Sequence, residues 1–150
     1  MRKILFLWCI SMVYISNAHS QILEPVKWSY SAKKTSGTTA IIYIKATIDK
    51  GWHLYSQTPS DGGPTATQFT FFTSKSFSKI GKTIEPKPIT KFEPAFFMEI
   101  SYFENSVIFQ QKVMLLAKDV VIKCNVEFMA CNDKKCLPPS VKEFRVPVKR

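Results

Sequence analysis

No window of this chain repeats apolar residues at helical spacing between recognisable caps, which argues against a helical bundle or an α/β fold. It has no glycine-rich phosphate loop, no Ser-His-Asp arrangement and no paired-carboxylate site. Phosphoryl transfer, serine hydrolysis and glycoside chemistry therefore have no candidate residues. Methionine and histidine form no cluster of the kind that collects soft metals. Internal repeats, low-complexity tracts and domain-scale linkers are also missing, so a single domain is expected. After the N-terminal stretch, no apolar run is long enough to span a bilayer. The formal charge is +10. The lysines, however, are scattered along strands and loops rather than gathered on a stripe. That distribution fits a solvated surface, with no nucleic acid and at most peripheral membrane contact.

The first residues read as a processing signal. Arg2 and Lys3 form a basic start, Ile4 to Ile15 an apolar run broken only by Ser11, and Asn17-Ala18-His19-Ser20 a small-residue site before Gln21. Cys9 lies in the apolar run without the small neighbours of a lipid-modified cysteine and is discarded with it. Residues 1–20 are thus expected to be a signal peptide and 21–150 the mature domain, periplasmic or secreted. Removing Met1–Ser20 takes away two basic residues and no acidic one, leaving a formal charge of +8.

The mature chain reads as short strands separated by turn residues. Val26 to Ser31, Thr38 to Ile48, Phe69 to Phe72, Phe77 to Ile84 and Ser106 to Leu116 carry extended patterns. Asp49-Lys50-Gly51 is a turn signal, and Trp52 to Ser56 a short strand or corner. Thr58 to Thr67 holds two prolines, two glycines and an aspartate, so it is a loop. The proline-bearing stretch from Ile84 to about Met98 is expected to be irregular, because proline cannot donate to a ladder. From Val120 to Phe128 the alternation is strict, with Ile122, Cys124, Val126 and Phe128 on one face. Phe144, Val146 and Val148 mark a last strand. The pattern indicates an all-β sandwich or barrel.

Three cysteines follow the leader, so at least one cannot pair within the chain. Export favours disulfides. If Cys124 to Cys131 is extended, the two lie about 23 Å apart at about 3.3 Å per residue. A disulfide needs about 7 Å or less between Cα atoms. Cys131 and Cys136, four turn-forming residues apart, close easily, whereas Cys124 with Cys136 requires the chain to fold back beside itself. Cys124 is in phase with the core. Cys131, in the opposite phase, is expected to be accessible together with Cys136. As a staple, so short a loop contributes only about 2 kcal/mol. Lys134 and Lys135 between the sulfurs favour thiolate and so exchange reactivity. These features favour a redox pair over a staple. Zinc on the three cysteines and His53 fits no usual ligand spacing. Copper on His53, Met98 or Met129 with a thiolate has no supporting cluster. No metal or cofactor is expected, and His53 reads as a packed, hydrogen-bonded side chain.

Gly51-Trp52-His53-Leu54-Tyr55-Ser56, Gly62-Gly63-Pro64-Thr65, Tyr102-Phe103-Glu104-Asn105 and Val126 through Pro139 occur in that order. Together they resemble the N-terminal periplasmic domain of the DsbD thiol:disulfide interchange protein across essentially the whole mature chain. The resemblance implies an immunoglobulin-like β-sandwich. It also implies a relay between a membrane-embedded thiol reductase and thioredoxin-like periplasmic proteins, through plain thiolate attack on disulfides. By that resemblance Cys136 is the interchange cysteine and Cys131 the resolving one. The family shields its pair with a mobile aromatic loop. The matching segment is Phe92 to Met98, with Phe96, then Phe97, as the lid; ordinary core packing is the plain alternative.

Two departures stand out. Four residues separate the cysteines here, where the best-known members have five. The membrane helices and the Cys-x-x-Cys domain of full-length members are also missing, so the expectation is that a separate membrane reductase recharges this chain or that its role has changed. The rival reading is a non-catalytic protein-binding sandwich with a structural Cys131–Cys136 bridge.

Overall fold

The computed structural model describes residues 23–58, 61–94 and 96–149, so the signal-peptide reading of Met1–Ser20 lies outside the described residues. Eleven strands follow one another: β1 (Val26–Lys34), β2 (Thr39–Ile48), β3 (Trp52–Tyr55), β4 (Gln68–Phe71), β5 (Phe77–Ile84), β6 (Ile89–Glu93), β7 (Met98–Phe103), β8 (Ser106–Leu115), β9 (Asp119–Phe128), β10 (Ala130–Asn132) and β11 (Ser140–Lys149). They form three antiparallel sheets, ordered β1-β2-β8-β5, β11-β9-β4 and β10-β3-β7-β6. This is an all-β, immunoglobulin-like sandwich. Among the described residues no helix is long and apolar enough to cross a membrane.

Strict alternation dictates the packing. On β2, Ala40, Ile42, Ile44, Ala46 and Ile48 are all buried, and on β8 so are Val107, Phe109, Gln111, Val113 and Leu115. One half of that shared face packs on Ile122, Cys124 and Val126 of β9 and on Phe144, Val146 and Val148 of β11. The other half, with Val107 and Phe109, packs on Trp52 and Leu54 of β3, Phe103 of β7 and Ala130 of β10. The large four-stranded sheet is thus one layer. The β9-containing sheet and the small β10-β3-β7-β6 sheet lie against different parts of it. Trp28, Phe69 and Phe128 touch both apolar clusters and join them. Gln111 is tolerated in this core because its amide donates to the Ile80 and Lys112 carbonyls and accepts from the Thr83 hydroxyl. Gly81, at φ +68°, lies where the β5–β8 register shifts, which makes it the bulge glycine of an edge strand.

Two expectations are corrected. The stretch from Ile84 to Met98 is not irregular throughout, since β6 runs from Ile89 to Glu93 and β7 starts at Met98. Pro86 and Pro88 precede β6 and Pro94 follows it, so the prolines bound an edge strand instead of breaking it. Cys131, expected to be accessible, is buried. Its phase was read correctly, because it points away from the face that holds Ala130 and the main core. That opposite face of the small sheet carries an apolar cluster of its own: Tyr55, Ile100, Tyr102 and Cys131, with Phe96, Met98 and Met129 packed against them.

Candidate functional site

The cysteine pair sits across a tight hairpin. After β10 the chain reverses through Asn132-Asp133-Lys134-Lys135, and Cys136 returns as the bridge partner of Cys131. Asn132 N–H donates to the Lys135 carbonyl at 2.9 Å, and Leu137 N–H donates to the Ala130 carbonyl at 2.9 Å. The cysteines therefore face each other between two hydrogen-bonded rungs, where side chains of an antiparallel pair approach most closely. Their Cα atoms are 4.0 Å apart and their sulfurs are bonded. The turn is held by the Asn132 side chain, whose Oδ1 accepts from the amides of Lys134 (3.0 Å) and Lys135 (2.9 Å). Asparagine suits this place because its short side chain satisfies nearby backbone donors. Leu137 packs on the main core, which ties the returning strand down. Pro138 and Pro139 supply no N–H donors, and β11 begins at Ser140.

The two sulfurs meet different surroundings. Cys131 is 3% exposed within the outer apolar cluster, whereas Cys136 is exposed. Of the two bonded cysteines, Cys136 is thus the one that solvent reaches and Cys131 the one shielded from it. Lys134 and Lys135 are exposed at the hairpin tip. The two aromatic candidates part company. Phe96 is half-buried and packs on the cluster that includes Cys131, while Phe97 is 86% exposed with a left-handed φ of 54°. Both lie at the end of the β6–β7 hairpin, where Phe96 N–H donates to the Glu93 carbonyl at 3.1 Å. The structure brings together Cys131, Cys136 and Phe96, and leaves Phe97 pointing to solvent.

Sequence reasoning passed over the neighbours of Cys131. In the β10–β3 ladder Cys131 stands opposite His53. In the β3–β7 ladder Tyr55 stands opposite Tyr102 and Leu54 opposite Phe103, so one step further brings Glu104 opposite His53. The imidazole Nε2 indeed lies 3.0 Å from Glu104 Oε1, and the ring centroid lies 4.5 Å from that of Tyr102, the two planes tilted by 48°. Tyr55 is held neutral, its phenol pushed up to about 12 by burial, with the Glu93 carboxylate and then Tyr102 adding to the effect. The alternation of Trp52-His53-Leu54-Tyr55 already put His53 and Tyr55 on one face. What it lacked was the identity of the neighbouring strands.

Cys124 is fully buried in the main core and unpaired, and burial pushes its thiol from 9.0 up to about 12. It stays a thiol throughout the physiological range and is no exchange partner. Below about pH 9 it is protonated in both the folded and the unfolded chain. Between about 9 and 12 only the unfolded chain loses the proton. Stability is therefore expected to fall as pH rises through that window, by at most about 1.4 kcal/mol per pH unit. Urea midpoints measured from pH 8 to 10 check this, and Cys124→Ala should flatten the decline.

The comparisons bear on this arrangement. The family model for the N-terminal part of the thiol:disulfide interchange protein DsbD matches residues 19–147. The DsbD N-terminal domain of Neisseria meningitidis, in its reduced form, superposes with a TM-score of 0.58 at 13% identity, covering 90% of this chain and 96% of that one. The N-terminal periplasmic domain of ScsB from Proteus mirabilis gives 0.58 at 14% identity, over 85% of this chain and 47% of the other. A complex between the DsbD and PilB N-terminal domains of N. meningitidis gives 0.51 at 12% identity, over 79% and 80%. At such identities these structures share the fold. Comparison with curated proteins finds no match.

Proposed function

Since this chain belongs to the family of the DsbD N-terminal domain, we propose that it is an exported thiol:disulfide exchange relay acting through Cys131 and Cys136. The observation that carries this reading is the unequal placement of two disulfide-bonded cysteines on one hairpin, one residue exposed and the other buried. In the reduced chain the Cys136 thiolate attacks a partner's disulfide. A Cys136–partner bond forms and the partner's other sulfur leaves as a thiolate. Cys131 then attacks Cys136, restoring the bridge and releasing the partner's second thiolate. The chain gives up two electrons and two protons, and the partner's disulfide becomes a dithiol. No cofactor takes part.

Recharging runs the same steps in reverse from a membrane-embedded thiol reductase, and the recipients are thioredoxin-like proteins in the periplasm or outside the cell. Two likenesses support this assignment: the ScsB domain is described as periplasmic, and the Neisseria DsbD domain forms a complex with another protein's N-terminal domain. Met1–Ser20 serves as the export signal and 21–150 as the working domain. Lys134 and Lys135 lower the cost of a thiolate at the hairpin tip.

Phe96 is the lid over this pair. Phe96→Ala is expected to speed reduction of the bridge by dithiothreitol on the order of tenfold, and Phe97→Ala to leave the rate unchanged; stopped-flow trapping of free thiols checks both. The relay itself is tested by titrating residues 21–150 in glutathione buffers. A reversible two-electron Cys131–Cys136 couple between about −270 and −120 mV is expected. A bridge that resists reduction below about −300 mV is structural, and the protein is then a binding module.

A further inference from the structure

Cys131 on β10, His53 on β3 and Glu104, the residue just past the end of β7, lie in a row. His53 is opposite Cys131 in one ladder, and in the next its Nε2 is bonded to Glu104 Oε1 at 3.0 Å. Residues directly opposite in an antiparallel ladder share a face, with Cβ atoms about 5 Å apart. The carboxylate accepts from Nε2–H, which fixes the tautomer and leaves Nδ1 as the nitrogen able to exchange a proton with a neighbour. The order of thiol, imidazole and carboxylate is that of an activated nucleophile. Cys131 needs such a partner. The residue is 3% exposed in an apolar cluster, where an isolated thiolate is costly.

We propose that His53, oriented by Glu104, is the acid–base partner of Cys131 in the resolving step, an inference that rests on the relay reading above. When a reductant's thiolate attacks Cys136, the Cys131–Cys136 bond breaks and its electron pair goes to the Cys131 sulfur. His53 in its protonated form gives that sulfur its proton. In the opposite direction neutral His53 takes the proton from the Cys131 thiol as the sulfur attacks Cys136, and the partner's sulfur leaves as a thiolate. The other titratable groups on this face are Tyr102, Tyr55 and Glu93, with Lys91 on β6 opposite Ile100. Tyr55 stays neutral below pH 10, so it does not contribute to a rate change between pH 5 and 8.

The test uses residues 21–150, reduced and then converted to the mixed disulfide of Cys136 with glutathione; release of glutathione on attack by Cys131 is followed from pH 5 to 9. In the unmodified sequence the rate should rise with pH across this range. His53→Gln should slow it by at least about tenfold at pH 7 and displace the rise to higher pH, where the thiol ionises without a base. Glu104→Gln should shift the rise without abolishing it. The bimolecular attack of Cys136 on oxidised glutathione should stay within about twofold in both variants, and an unchanged urea midpoint excludes a folding defect. An unchanged pH–rate profile in His53→Gln overturns the inference and leaves the relay standing. Should His53→Gln fail to fold, an unshifted profile in Glu104→Gln overturns it instead. If the unmodified chain releases no glutathione at all, the relay reading itself fails, and this one with it.

Discussion

Cys136→Ser is expected to reduce thiol–disulfide exchange to the uncatalysed background, a loss on the order of a thousandfold or more, because a serine hydroxyl cannot replace a thiolate at neutral pH. Cys131→Ser should behave differently. The exposed Cys136 still attacks, but no second sulfur resolves the product, so a mixed disulfide accumulates. This asymmetry follows from burial. Cys131 is buried in the cluster on the outer face of the small sheet against which Phe96, Met98 and Met129 pack, while Cys136 returns exposed beyond the turn. Single-turnover assays with oxidised glutathione, read by mass spectrometry, distinguish the two variants. In the reduced protein, alkylation should proceed first at Cys136, then at Cys131, and last at Cys124, which sits in the main core.

Phe109→Ala should produce the largest loss of stability. Phe109 is fully buried on β8 and lies against Phe69 (4.8 Å between ring centroids), Phe103 (5.9 Å) and Trp28 (6.3 Å). It supports β3, β7 and β10, the strands that hold the site, from beneath. Truncation removes a large apolar side chain from contact with three aromatic neighbours and leaves a cavity. The expected cost is about 3–5 kcal/mol. Urea unfolding followed by tryptophan fluorescence measures it. The loss should appear with the bridge oxidised or reduced, because it arises in the main core.

The sandwich was legible in the sequence wherever one face of a strand meets the core. β2, β8 and β9 alternate residue by residue, and their inward sets are the buried sets. The pairing of Cys131 with Cys136 was legible too, since four turn-forming residues lie between them. Burial of Cys131 was not. Alternation tells which face a residue takes, but whether the outward face is covered depends on a distant hairpin, here β6–β7 with Phe96. The same limit hid β6 itself. Its exposed residues carry no clean alternation, and its prolines read as breakers although they bound an edge strand. His53 and Glu104 lie 51 residues apart, and only the β3–β7 register joins them.

The most direct measurement is trapping by the Cys131→Ser protein with an oxidised thioredoxin-like protein, followed by non-reducing peptide mapping. One cross-link is expected, from Cys136 to a partner cysteine, and none when Cys136 is also replaced. No cross-link, or one that persists through Cys124 in the double variant, would contradict exchange at Cys136 and leave the hairpin disulfide a structural tie.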